Sequence, residues 1–308
     1  NYVLTVDASG EAGWEAAAAA GATDINGLSD AKTNSSGTTI GVGTEALHSD
    51  DGSANQNTAF GYQALRTTNS NIQNTAVGYR AGHALTGTGN ALYGRDSSFF
   101  GHYAGHVLTT GRSNTAFGTG ALKTATTPDS NNAFGKEAGG GVTTGANNLF
   151  AGADAGYSTT TGSNNVILGH AAAASSATVS NEITLGRSST STLRCQVTSI
   201  TALSDRRDKK DIKELPVGLD FINALNPVEF TWNMRDGARV GQKEAGFIAQ
   251  ELDEAQQDAG VEDLMNLVLK TNPDKLEAAP GKLIPVLVKA IQELSQEVEA
   301  LKKELSNV

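Results

Sequence analysis

A short motif, Asn-x-Ala-Phe-Gly-x-x-Ala, returns along the first two-thirds of the chain at nearly constant spacing, and this repeat constrains the fold more than any other feature. Its glycines are Gly43, Gly61, Gly78, Gly101, Gly118, Gly135, Gly152, Gly169 and Gly186. From Gly101 onward every step is 17 residues; the earlier steps are 18, 17 and 23, and the longest contains a partial copy at Gly94. A fixed short period means stacked coils, each too small to bury a core alone. Seventeen residues cannot hold two helices and their turns. Each copy instead has a short extended piece, such as Thr58-Ala59-Phe60-Gly61, between Asn, Ser, Thr and Gly clusters. The expected fold is mainly β, a parallel β-roll or β-helix, and 35 glycines against 6 prolines in 308 residues suit it. Nine rungs at ~4.8 Å make a rod section on the order of 40 Å long.

Neighbouring positions in each extended piece are both apolar: Ala59-Phe60, Ala76-Val77, Ala116-Phe117, Ala133-Phe134, Ile167-Leu168. Strand neighbours point to opposite faces, so both faces need cover. One faces the coil's interior. The other most simply faces partner chains around an axis, which makes the expected assembly a homotrimer. Ala and Gly in the flanking columns allow close approach.

The remaining columns read as structural. Asn57, Asn74, Asn90, Asn114, Asn131, Asn148 and Asn165 stand four residues before a glycine and suit a turn ladder. Ala46, Ala64, Ala81, Ala104, Ala121, Ala138, Ala155 and Ala172 follow three residues after one. Thr86, Thr109, Thr126, Thr143 and Thr160 form a further column, for which turn packing is a better reading than ice or glycan binding. His48, His83, His102, His106 and His170 do not share one column, so no metal site is expected. Acidic residues in the repeats are sparse and no pair recurs down the columns, which argues against the flanking carboxylates of a glycosidase.

Composition changes at residue 204. Residues 1–37 read as a leader to an upstream shaft, 38–203 as the repeat rod, and 204–308 as a separate small α+β domain. Tyr2–Asp7 alternates like a strand, and 15–22 suits a short helix or coil. In the last domain, Asp211–Leu215 reads as a strand, Val217–Leu225 as a helix, Val228–Trp232 as β, and Phe247–Ala259 as a helix with Ile248, Leu252 and Ala255 on one stripe. Residues 282–306 carry heptads: Ile284, Ile291, Val298 and Leu305 at a, and Leu287, Leu294 and Leu301 at d. They suit a coiled coil of two or three strands, the symmetry of the rod favouring three, or else a lone helix packed on its own domain.

At the composition boundary stands Ser204-Asp205-Arg206-Arg207-Asp208-Lys209-Lys210-Asp211. Two further blocks follow, Asn226-Pro227-Val228-Glu229-Phe230-Thr231-Trp232 and Glu244-Ala245-Gly246-Phe247-Ile248-Ala249-Gln250-Glu251-Leu252. Three blocks in this order resemble the C-terminal intramolecular chaperone domain of phage tail fibres and tailspikes, of the endosialidase type, over roughly the last third of the chain. The repeats look like those of trimeric autotransporter adhesin heads and phage fibre tips. The resemblance implies a Ser-x-x-x-x-Lys dyad that cuts the chain just before its serine: Ser204 as nucleophile, Lys209 as its base, Leu203–Ser204 as the bond cut. Chemistry allows this, since a serine hydroxyl needs a base and lysine serves as one when burial or nearby cations favour its neutral form. No histidine follows His170, so a Ser-His pair within this domain is excluded. Five residues is an awkward helical spacing, so the two side chains should meet through a turn or bend. Ser204 as a mere local turn cap is the bland alternative.

The function this implies is a fibre tip in the virion that binds a host-surface glycan or outer-membrane component, trimerised by a chaperone that then cuts itself off. A trimeric bacterial adhesin and a glycan-depolymerising tailspike are the alternatives. A net charge of −10 argues against a nucleic-acid partner. No apolar run approaches the ~18 residues of a membrane span. The single Cys195 excludes an internal disulfide and a cysteine-based zinc site, and no cofactor motif is present. The chain opens on Asn1, not Met, as a piece of a longer protein would.

Overall fold

Each column glycine follows directly on a three-residue strand. In the computed structural model, which describes residues 2–6, 12–16, 31–33, 37–53, 55–86, 93–196 and 201–307, the chain packs as two units, Asn1–Arg187 and Ser188–Val308. In the first, β1 (Tyr2–Val6) and β2 (Ala12–Ala16) form an antiparallel pair, and β3 (Ala31–Thr33) pairs antiparallel with β4 (Ile40–Val42). From β4 the strands stack in parallel, in chain order: β5 (Thr58–Phe60), β6 (Thr75–Val77), β7 (Ser98–Phe100), β8 (Thr115–Phe117), β9 (Asn132–Phe134), β10 (Leu149–Ala151), β11 (Val166–Leu168) and β12 (Ile183–Leu185). This is the β-solenoid that the period predicts. The expected helix or coil over 15–22 lies mostly outside the described residues.

The glycine after each strand is required by the stacking. Gly118 has φ +144°, and a Cβ there would lie 2.4 Å from the carbonyl oxygen of Gly135. The close approach the sequence suggested therefore occurs between consecutive coils of one chain. Other corners also enter the left-handed region. Ser113, Ser130, Asn147, Asn164 and Asn181 do so with φ of 55–63°, and short polar side chains make that conformation less costly.

The interior is filled from two columns that compensate in volume. The middle residue of each strand from β4 to β11 points inward. In the coils of Ala59 and Ala116, Leu65 and Leu122 fill the space, all fully buried. Where the middle residue is Phe99 or Phe150, the leucine position is held by Gly82 and Gly105, or by Gly139 and Gly156, whose absent side chains leave room for the ring. The ladder asparagines are buried. Each accepts a hydrogen bond from the equivalent N–H one coil on, as Asn131 Oδ1 does from Asn148 N at 2.9 Å, while Nδ2 donates to a turn carbonyl, Gly145 O at 2.8 Å. Buried backbone groups at each corner are thereby satisfied.

Two sequence assignments change. Asn90 lies outside the described residues, and the ladder position of its coil is Ser97, which receives Asn114 N on Oγ at 3.1 Å and donates its N–H to Asn74 Oδ1. The partial copy at Gly94 adds no rung among the described residues, because β6 pairs directly with β7. The threonine column is packed as expected: Thr109, Thr126, Thr143 and Thr160 donate their hydroxyls to carbonyls of the following coil at 2.9–3.2 Å.

The second unit has α1 (Leu219–Ala224), the hairpin β13 (Val228–Thr231) and β14 (Lys243–Gly246), α2 (Ala249–Asp258), α3 (Glu262–Met265), the pair β15 (Val268–Leu269) and β16 (Glu277–Ala278), and the long α4 (Ile284–Ser306). Its core gathers Val217, Phe221, Leu252, Val261, Met265, Leu267, Val268, Leu283 and Val286. Asp211–Leu215 is not a strand. Asp211 has φ 54°, and no other strand pairs with the segment. Ile248 caps α2 from outside the helix, so the buried stripe is Leu252 and Gln256, whose Oε1 accepts from Leu267 N at 2.8 Å. No helix among the described residues is long and apolar enough to cross a membrane.

Candidate functional site

The residues after Leu203 fold locally because an aspartate stands where a turn begins. Asp205 is the N-cap of a single 3-10 turn, Arg206–Asp208, and its carboxylate accepts the N–H of Arg207 at 2.8 Å. The Arg207 guanidinium grips the same carboxylate, Nη2 to Oδ2 at 2.6 Å and Nε to Oδ1 at 3.1 Å. That guanidinium, then the backbone N–H, holds the Asp205 carboxyl below the usual carboxylate range, and the carboxylate raises Arg207 in return. Backbone bonds from Asp208 N to Asp205 O and from Lys209 N to Arg206 O close the turn, both at 3.2 Å.

The turn reverses the chain enough for Lys209 to reach back over five residues. Its Nζ donates to Ser204 Oγ at 2.5 Å and to Ser204 O at 3.3 Å. The two residues singled out from sequence are thus in direct contact, through a turn rather than a helix. Among the described residues Lys209 forms no ion pair with Asp208. Leu203 is fully solvent-exposed, at 101 % relative accessibility, so the carbonyl before Ser204 is open to approach. Every described residue from 201 to 214 is exposed, Arg206 and Lys210 included.

Sequence reasoning did not single out Asp205 and Arg207 as a clamp, although an aspartate directly before a turn is a capping signal. It also missed a histidine pair. His83 and His106 each stand five residues after a column glycine, with ring centroids 5.2 Å apart. Both are shifted below the usual histidine range. For His83 the causes are burial, then His106 and the cations Arg80 and Arg66. For His106 burial comes first, with Arg80 and His102 adding charge repulsion. A stack of exposed rings, Tyr62 on Tyr79 and Tyr79 on His102, lies on the residues just after three of the glycines, with centroids 5.2 Å apart.

No curated protein and no solved structure gives a significant match to this chain. Residues 204–261, which begin on the serine of the Ser204–Lys209 pair, match the peptidase S74 family, the chaperone of endosialidase.

Proposed function

We propose that this chain is the receptor-binding end of a phage tail fibre or tailspike, part of the virion, whose last third assembles three copies and then cuts itself away between Leu203 and Ser204. The observation that carries the reading is the 2.5 Å contact of Lys209 Nζ with Ser204 Oγ, at the first residue of a segment that matches a chaperone family classed among peptidases. In the proposed step, Lys209 takes the hydroxyl proton and Ser204 Oγ attacks the Leu203 carbonyl carbon. The Leu203–Ser204 amide breaks, its nitrogen is protonated to the new α-amine, and the resulting Leu203 ester is opened by water. A lysine does this work best when desolvated. The exposure of 201–214 therefore fits a dyad that works once further copies have packed around it, so folding precedes cutting.

The homotrimer rests on the rod. The third residue of each strand points away from the coil interior, and Phe60, Val77, Phe117 and Phe134 are 36–54 % exposed in one column. At roughly half of ~200 Å² per aromatic ring, this column together with Tyr62, Tyr79 and Phe100 leaves on the order of 600 Å² of apolar surface per chain. That is at the upper end for a monomer's largest patch and near the ~800 Å² per partner of a stable interface. Stacked coils from separate chains must start in register, and a chaperone that joins the chains first would set it. Removing it afterwards leaves the rod kinetically trapped. The turn around Ser49–Gln56 is the candidate receptor contact; in Gly94–Ser98, the other turn the sequence offered, only Asp96 is exposed.

Intact mass and N-terminal sequencing test the cut. Wild type yields a fragment starting at Ser204. Ser204→Ala and Lys209→Ala stay whole yet assemble, and Lys210→Ala still cuts. Cutting by Ser204→Ala, or a requirement for Lys210 in place of Lys209, would overturn the assignment.

A further inference from the structure

In a chain of net charge −10, one side of the rod gathers cations and imidazoles. The residue five places after the column glycine is His48, Arg66, His83, His106 and Lys123 in successive coils. At ~4.8 Å per coil the five span about 20 Å, starting next to the Ser49–Gln56 turn. Each is exposed or half-buried. They belong to the turn after the glycine, not to the strand whose third residue faces outward. Arg66 and Lys123 are neutralised by a glutamate of an adjacent coil, Arg66 by Glu45 at 2.7 Å and Lys123 by Glu137. Arg80, two places after its glycine, pairs with no carboxylate among the described residues. Neutral groups hold its guanidinium: Nε donates to Gln63 Oε1 at 2.7 Å, and Cζ lies over the Tyr79 ring, 5.4 Å from its centroid. Beside it stand His83 and His106, ring centroids 5.2 Å apart, with Tyr103 edge-on to His106 at 4.5 Å. His106 Nδ1 has no hydrogen-bond partner among the described residues, a capacity that a purely structural ring would have used.

We propose that Arg80, His83, Tyr103 and His106 bind a phosphate ester, with Arg66 and Lys123 extending the positive side along the rod. A planar guanidinium suits an oxyanion better than a point charge does, and hydrogen bonds between charged partners are the strong ones. A dianion also matches two imidazoles that can each take up a proton beside one fixed cation, where a carboxylate offers a single charge. Under the receptor-binding reading, on which this last step rests, the ligand on the host is a phosphate-substituted surface glycan, contacted in addition to the Ser49–Gln56 turn. In the free chain both rings are held below the ordinary histidine range. Burial leads at each. His106, Arg80 and Arg66 repel His83 while Glu45 opposes them. At His106 the Arg80 carbonyl opposes burial, and the charges of Arg80 and His102 add to it. A bound anion reverses the balance and raises both rings, so binding takes up protons and tightens as pH falls from about 7.5 to about 6.

Isothermal titration of the full chain with glucose 6-phosphate, glucose and inorganic sulfate tests the site. Glucose 6-phosphate and sulfate should bind saturably and glucose should not. Sulfate keeps both its charges over this pH range, so its tightening toward acid reports the imidazoles alone, and heats in two buffers of different ionisation enthalpy should show the proton uptake. Arg80→Gln should weaken binding about tenfold or more, and Arg80→Lys should lose less. Arg112→Gln, which removes a cation already paired with Asp129 at 3.1 Å, should lose nothing. Absence of binding, sulfate binding that ignores pH, or equal losses from Arg80→Gln and Arg112→Gln would each overturn the site. The wild-type pH series decides without any variant, should Arg80→Gln fail to fold. An array of the same sugars with and without phosphate separates the site from the receptor reading. Sugar phosphate binding in solution with no preference for phosphorylated glycans on the array removes the glycan assignment and leaves the site. Selective glycan capture that survives Arg80→Gln removes the site and leaves the receptor reading.

Discussion

Arg207 holds Asp205 across a single intervening residue with both its backbone N–H and its guanidinium, and the turn so closed brings Lys209 to Ser204. The lysine is positioned by this local clamp rather than by the domain core, since all four side chains are exposed. Asp205→Ala, which loses both the cap and the ion pair, should slow self-cleavage on the order of tenfold to a hundredfold, the usual cost of misplacing a reacting group by about an ångström. Asp205→Asn keeps an acceptor for the N–H and should fall between Asp205→Ala and wild type. Time courses of fragment appearance measure this. A wild-type rate for Asp205→Ala would remove the clamp from the mechanism.

Placing a charge in the outward phenylalanine column should prevent assembly. Phe117→Asp leaves the coil interior intact, because Ala116 is the residue that points inward. Light scattering of rods freed of residues 204–308 should find single chains for Phe117→Asp and the native assembly for Thr161→Asp, an exposed turn position. Native-size particles from Phe117→Asp would move the interface elsewhere.

The glycines beside the buried rings are matched to those rings. A Cβ on Gly156 would lie 2.1 Å from Phe150 Cδ1, at a backbone φ of +63°. Gly156→Ala should destabilise the rod by about 2–3 kcal/mol through overpacking and strain. Phe150→Leu in the same chain should recover part of the loss. Denaturation midpoints of the two variants decide whether volume or backbone conformation dominates.

Removing one ladder asparagine strands two backbone groups. Asn131→Ala leaves Asn148 N–H and Gly145 C=O without their partners in a buried corner. The expected loss is about 3 kcal/mol, against about 1 kcal/mol or less for Thr143→Val at the partly exposed Thr143–Thr160 bond. Similar losses for the two variants would mean that water reaches the asparagine column.

The stacked histidines make the rod sensitive to mild acid. Both are lowered in the folded state by burial, with Arg66, Arg80 and His102 adding repulsion and Glu45 opposing it at His83. The unfolded chain therefore binds more protons as pH falls through the ordinary histidine value of about 6.5, and unfolding becomes easier in that direction. Melting temperature should fall between about pH 7 and pH 5, above the range where Glu45 and Asp51, themselves lowered by hydrogen bonds, begin to protonate. His83→Gln combined with His106→Gln should flatten the profile. An unchanged slope would assign the effect to other groups.

The sequence alone determined the rung. A 17-residue period with one extended piece and a glycine after it admits a stacked β-coil and little else, because no single coil buries a core and each must repeat its neighbour's contacts. The resemblance to the chaperone family singled out Ser204 and Lys209, and their five-residue spacing, awkward on a helix, set them at a turn or bend; period and breaker residues gave α1, β13, α2 and α4. Only the tertiary structure decided which apolar neighbour in each strand faces inward, since Ala59 and Phe60 differ in volume but not in the alternation that marks them. It replaced Asn90 with Ser97 in the ladder, because an insertion before β7 moves the motif's spacing without moving the stack. It paired His83 with His106, which lie far apart along the chain and meet only when one coil is laid on the next. It left Asp211–Leu215 without a strand, because alternation proposes an edge and only a neighbouring strand makes one. It also showed which face of α4 its own domain takes. A heptad says that a face is apolar, whereas what covers that face depends on where the rest of the chain has packed.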